Sequence, residues 1–223
     1  MTRPSDKLPQ VVEVSIASDA RQVRGELRVP PGASGVVVFA HGSGSGRYSP
    51  RNRFVAQELR KLGLATLLVD LLEEDEAKDR EKVFDIDLLA ARVLAAVRWL
   101  HAEALTRSLP IGCFGASTGA AAALTATAAA PALIAVVVSR GGRPDLASRA
   151  LERVRAPTLL IVGEKDARVL DWNRDAYERL PCEKRLVVVP GASHLFEEAG
   201  TLEAAARHAG LWFARHLGSG VRP

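Results

Sequence analysis

A serine framed by glycines, a histidine in a loop of small residues and a choice of acids are the residue types that nucleophilic acyl transfer would need. The serine lies in Gly115-Ala116-Ser117-Thr118-Gly119, after the apolar run Ile111 to Phe114 and before an alanine-rich stretch. At a tight strand-to-helix turn a G-x-S-x-G forces the serine into strained backbone angles, and its glycines remove side chains that would collide with the neighbouring strand and helix. Serine is a poor nucleophile until a base removes its proton, so a histidine is needed on the same edge. His101, His208 and His216 fall in helical stretches and His41 in a glycine loop, which leaves His194 in "VVVPGASHLFEE" as the expected base. A carboxylate must in turn orient the imidazole and stabilise its cation. Asp166 in "GEKDARV", past the Gly163 turn, is the favoured acid, with Glu164 and Asp145 as competitors.

These residues need strand ends to carry them. The N-terminal "VVEVSIA" and "QVRGELRVP" alternate in polarity and read as an antiparallel hairpin. Beyond them, the pattern predicts strands at Val36–Ala40, Leu64–Asp70, Ile111–Phe114, Leu133–Ser139, Thr158–Val162 and Arg185–Val189. Helical periodicity falls between and after them, at Arg51–Leu62, Asp85–Leu105, Thr118–Ala129, Leu146–Val154, Asp171–Leu180 and Glu197–His216. The expectation is a single α/β domain over residues 1–223, with eight strands in a mostly parallel sheet and helices on both faces. Loops at the C-terminal ends of such strands border the ligand crevice, and Ser117, Asp166 and His194 all fall in them. The charged run "EEDEAKDREK", Glu73 to Lys82, reads as a solvated loop or a frayed helix start at the same edge.

Composition excludes several other roles. The hydrophobic share of 48% is that of a globular chain. The net charge of +4 comes from 30 basic against 26 acidic residues, without a basic block or aromatic stripe, so no nucleic-acid partner is expected. Ile111 to Ser139 carries no charge, but Gly112, Gly115, Gly119 and Pro131 divide it into strand, helix and strand, so no membrane span is expected. Cys113 and Cys182 sit in unlike surroundings and "MTRPSDKLPQ" lacks the apolar core of a signal peptide, which suggests a cytoplasmic protein with unpaired thiols. The histidines and cysteines lack ligand spacing, so neither metal nor cofactor is expected, and nothing specifies an oligomeric state.

The order serine, acid, histidine is that of the α/β-hydrolase superfamily. Within it the chain resembles the dienelactone-hydrolase-like group of small, lidless esterases, through "HGSGSG", "GASTG", "GEKD" and "GASH". Dienelactone hydrolases proper carry cysteine in the elbow where Ser117 stands; Cys113 is expected only to pack. The resemblance implies a serine esterase acting on small or medium esters, lactones or thioesters. "HGSGSG" is no dinucleotide fingerprint, because Arg47 stands where its third glycine belongs, and no phosphate-binding P-loop, because it lacks the lysine. It fits instead an oxyanion loop, whose main-chain N–H groups meet the charge growing on a carbonyl oxygen. Thr118 N–H would be one donor and, by resemblance to His-Gly-X loops, Ser43 N–H the other, with Gly42 allowing the inward turn and His41 bracing the loop.

The stretch "RGGRPDLASRALERVRAP" is short where many relatives insert a lid, so the site should lack a large one. Tyr48, Leu71, Leu72, Arg140, Trp172, Leu195 and Phe196 are candidates to line a pocket for a small-molecule ester, Arg140 either binding a substrate carboxylate or pairing with Asp145. A non-catalytic small-molecule receptor on the same scaffold, or an acyltransferase, are the competing readings.

Overall fold

Valine-rich runs, uncharged but for Arg140 at the end of one, form the middle of one sheet, in which every residue of five successive strands is buried. The computed structural model describes residues 10–19 and 21–218. Its strands are β1 (Gln10–Ser18), β2 (Arg21–Val29), β3 (Gly35–Ala40), β4 (Leu64–Val69), β5 (Ile111–Ala116), β6 (Val136–Arg140), β7 (Thr158–Gly163) and β8 (Lys184–Val189). They lie in the order β1-β2-β4-β3-β5-β6-β7-β8. β2 is antiparallel to both its neighbours, and every pairing from β4 to β8 is parallel.

The helices are α1 (Pro50–Lys61), α2 (Arg80–Val83), α3 (Ile86–Ala102), α4 (Thr118–Ala129), α5 (Ala167–Arg179) and α6 (Thr201–Leu217). Alternate strand residues serve opposite faces: Val36, Val38 and Ala40 pack with α3 and α4, whereas Val37 and Phe39 pack with α1 and α6. Ser49 caps α1 by accepting the Asn52 N–H, with Pro50 at the first helical position, and Asp85 caps α3 through the Leu88 N–H. The uncharged stretch from Ile111 resolves into β5, the 12-residue α4 and β6. No helix among the described residues is long and apolar enough to cross a membrane.

Several boundaries differ from expectation, α3 ending at Ala102 and not Leu105 among them. β6 begins at Val136, because the chain after Pro131 first closes a turn from Leu133 N–H to Ala130 O. The helix expected at Leu146–Val154 is two 3-10 segments, Pro144–Ala147 and Leu151–Arg153. α5 starts earlier, right after Asp166, and α6 starts later, after Gly200 at φ 78°.

The charged run is also more than a solvated loop. It contains a 3-10 turn, Glu76–Lys78, followed by α2. Glu76 is buried there at 3% exposure. Arg92 of α3 grips both its oxygens, at 2.6 and 2.8 Å, and donates to Leu71 O at 2.6 Å as well. This fork ties the segment after β4 to the core, and its hydrogen bonds hold the Glu76 carboxyl down at about 2. A depressed carboxyl contributes stability that is present above its unfolded pKa and lost as pH falls through the folded one. Glu76→Gln should therefore cost about 3 kcal/mol at neutral pH in urea denaturation. The gap to wild type should narrow from pH 4.5 down to about 2; a gap independent of pH in that window would refute the assignment.

Candidate active site

The turn between β5 and α4 holds Ser117 at φ 51° and ψ −122°, a conformation that side chains rarely accept. The flanking glycines permit it. A Cβ on Gly115 would lie 2.4 Å from Ala120 Cα, and one on Gly119 would lie 2.2 Å from Ala40 O. The strand, the turn and the helix thus close on each other only because both positions lack side chains. Ser117 N–H is held by Arg140 O at 3.3 Å, and its side chain gives α4 no cap, so the hydroxyl is not spent on the helix. Cys113, four residues earlier, is fully buried, and burial pushes its thiol up to about 12, which leaves no thiolate for chemistry.

His194 follows β8, and its Nδ1 lies 2.6 Å from Asp166 Oδ2. Asp166 stands at the start of α5 but makes no capping bond, which leaves its carboxylate for the histidine. The two loops meet because Gly163 has no side chain: a Cβ there would sit 2.4 Å from Ala192 O and 2.6 Å from Ser193 O. The competing acids are engaged elsewhere. Glu164 accepts the Gly191 N–H at 2.8 Å and so pins the turn that carries His194. Asp145 caps no helix; it pairs with Arg143 at 2.8 Å, and not with Arg140.

On the other side of Ser117 runs the glycine loop after β3. A Cβ on Gly42 would come within 2.8 Å of Ser117 Cβ, so glycine is what lets this loop lie against the serine. His41 is buried, and both its ring nitrogens are engaged: Leu71 N–H donates to Nε2 at 2.9 Å, and Nδ1 faces Gly42 O at 2.9 Å. Because Nε2 accepts, the proton resides on Nδ1 and is donated to Gly42 O. Burial pushes the pKa of this imidazole down and keeps it neutral, so it clamps the loop to the chain after β4. Ser43 N–H donates to Thr118 Oγ1 at 3.0 Å, a partner its expected role did not include. The elbow therefore holds the glycine loop through the side chain of the residue after the serine.

Ser117 and His194 open into one cavity of about 240 Å³, whose wall includes Gly42, Ser43 and Arg140. Of the residues expected to line a pocket, Arg140 and Leu195 line this one; the others are placed elsewhere, Leu72 beside a separate surface cavity. Leu71 is wholly buried in the core beside α3. Phe196 is buried beneath the cavity with its ring 5.6 Å from the Arg140 guanidinium carbon, turned inward by φ 56°. Trp172 carries the guanidiniums of Arg143 and Arg168 over its ring, and Tyr48, exposed, lies against Arg47 and Arg53 beside that same surface cavity. Arg51 is an unanticipated wall residue. The Ser49-Pro50 pair, an N-cap followed by proline, marks the helix start that places it there. Among the described residues, no three His, Cys, Asp or Glu side chains are arranged to hold a metal ion.

This geometry meets its relatives in sequence. The model of the Dienelactone hydrolase family matches residues 23–214. The chain belongs to the dienelactone hydrolase family. A dienelactone hydrolase from Anabaena variabilis is 53% identical, superposes with a TM-score of 0.91, and the match covers 93% of this chain and 98% of that one. A lidless α/β serine hydrolase from Xanthomonas campestris, 20% identical with a TM-score of 0.77 over 95% and 97% of the two chains, shares the fold. A Mycobacterium tuberculosis protein named as a putative phosphoribosyl transferase is 54% identical over 205 residues, which are 92% of this chain and 46% of the relative. The chain thus spans about half the length of the curated relatives it matches. Family membership and structural likeness make this dienelactone hydrolase family protein an α/β hydrolase, with a mostly parallel eight-stranded sheet.

Proposed function

We propose that the protein is a serine hydrolase of small or medium carboxylic esters, with Ser117 as nucleophile, His194 as general base and Asp166 as the orienting acid. The observation that supports this most is that His194, which shares a cavity with Ser117, pairs through Nδ1 with Asp166 at 2.6 Å. With its proton held on Nδ1, the imidazole has a free lone pair on Nε2 for the serine hydroxyl. Ser117 Oγ attacks the ester carbonyl carbon as His194 takes its proton. The tetrahedral intermediate expels the alcohol, which receives that proton, and leaves an acyl-serine. Water, deprotonated by the same histidine, then attacks the acyl carbon and releases the acid and free Ser117.

Negative charge on the carbonyl oxygen is met by Thr118 N–H at the head of α4 and by Ser43 N–H once the oxyanion replaces Thr118 Oγ1 as its acceptor. Each such donor contributes about 2.7–4 kcal/mol to the transition state. The phosphoribosyl transferase name of the mycobacterial relatives describes proteins about twice as long, and the present reading concerns only the matched region. We place this activity in a single α/β domain. The free thiols Cys113 and Cys182 are in keeping with a cytoplasmic setting.

A fluorophosphonate probe should label Ser117 stoichiometrically, and short-chain p-nitrophenyl esters should be turned over. A chain that takes no label and hydrolyses no ester would instead fit a receptor on this scaffold; acyl transfer to an added alcohol outrunning hydrolysis would fit an acyltransferase.

A further inference from the structure

Arg140 ends β6 next to the elbow, in register with Ala116, and is 7% exposed. Burial, reinforced by the nearby Arg51, pulls its guanidinium down only to about 10, so it stays a cation at neutral pH. Its Nε and Nη1 are buried without a hydrogen-bond partner, and among the described residues no carboxylate forms an ion pair with it. An unpaired buried cation is expensive, and this one lines the cavity, where its third nitrogen, Nη2, is within reach of a ligand anion.

The rest of the wall has the same character. Arg51 adds a second guanidinium, only loosely met by the exposed Glu197 at 3.7 Å. Ser43, Ser45 and Ser49 add hydroxyl-bearing side chains, and the N-terminus of the 12-residue α1 opens at Ser49 and Arg51 with the positive end of its dipole. No acidic residue lines the cavity.

We infer that this cavity binds a phosphate monoester group carried by the ester substrate, beside the carbonyl that Ser117 attacks. The inference rests on the hydrolase reading and deepens it by naming the substrate class. A dianion balances two guanidiniums where a single carboxylate balances one. Its three terminal oxygens can take Nη2 of Arg140, the serine hydroxyls and the Arg51 N–H at the helix end together. In about 240 Å³ the phosphate and the reacting carbonyl share one small space, so a short tether joins them. The phosphate is a handle, and no bond to phosphorus breaks.

The test compares 4-nitrophenyl esters whose acyl chains, equal in length, end in methyl, carboxylate or phosphate. In wild type, kcat/KM for the phosphate ester should exceed that of the methyl ester by roughly ten- to a hundredfold, as expected of hydrogen bonds to charged groups. Inorganic phosphate should inhibit methyl-ester turnover competitively. The phosphate-to-methyl ratio should collapse toward one in Arg140→Gln and fall in Arg51→Gln, with Arg140→Lys keeping part of it. Arg51 lies partly exposed on a helix, so its variant and the wild-type inhibition remain informative should Arg140→Gln fail to fold. A ratio near one in wild type without phosphate inhibition overturns the inference, and a carboxylate preference equal to or above that for phosphate overturns the choice of anion. Either result alongside normal probe labelling and methyl-ester turnover leaves the hydrolase reading standing. If no ester is turned over, calorimetry of inorganic phosphate with Ser117→Ala, and its loss in Ser117→Ala/Arg140→Gln, tests the cavity alone.

Discussion

Ser117→Gly is expected to abolish ester hydrolysis and, in the same protein, to raise the melting temperature. A serine at φ 51° and ψ −122° occupies backbone space that suits glycine. Holding a side chain there costs of order 1–3 kcal/mol. Glycine relieves that strain but gains conformational freedom in the unfolded chain, a loss of about 0.5–1 kcal/mol. The balance is a gain of about 1 kcal/mol, or about 2–4 °C in Tm for a chain of this size. Loss of the nucleophile should lower kcat on the order of 10⁴-fold or more. Calorimetry and an ester assay read the two effects separately. Activity within tenfold of wild type would remove Ser117 from its role. Lost activity without a rise in Tm would mean that the surrounding turn, and not the serine, stores the strain. Ser117→Ala, which keeps the strain and loses the hydroxyl, should be equally inactive and no more stable than wild type.

The elbow was legible in the sequence because its constraints are local: five consecutive residues, two of them glycines, dictate one steric solution. Asp166 and His194 were legible for a topological reason, since both follow strands of a parallel sheet and so reach the same edge. What spacing does not encode is the direction of a side chain leaving that edge. Leu71 and Phe196 both sit in strand-exit loops, yet one turns into the α3 core and the other, at φ 56°, beneath Arg140. Competition between acceptors is equally hidden. The Thr118 hydroxyl engages the Ser43 N–H across 75 positions of sequence. The fork between Arg92 and Glu76 turned a charged run that reads as solvated into a buried anchor. Arg140 was visible as a residue, but only the structure leaves its guanidinium unpartnered, because Asp145 is engaged by Arg143.

Asp166→Asn should lower kcat on the order of 10⁴-fold, whereas Glu164→Gln should leave it within a few-fold of wild type. The carboxylate pairs with His194 Nδ1 at 2.6 Å, and in the proposed mechanism this bond holds the proton on Nδ1 and leaves Nε2 free as the base. An asparagine can keep the geometry while presenting its NH₂ to Nδ1, which drives the proton to Nε2 and leaves no base. It also withdraws the negative charge that stabilises the imidazolium as Ser117 attacks. Glu164, two residues earlier, meets only the Gly191 N–H on the exposed side of the histidine loop, and a glutamine oxygen can accept that bond equally well. KM should change little in either variant, because neither side chain lines the cavity. The converse result, with Glu164→Gln inactive and Asp166→Asn active, would assign the acid to Glu164 and require the histidine loop to rearrange on substrate binding. Comparable losses in both would mean that the loop's position, and not a specific carboxylate, limits the rate.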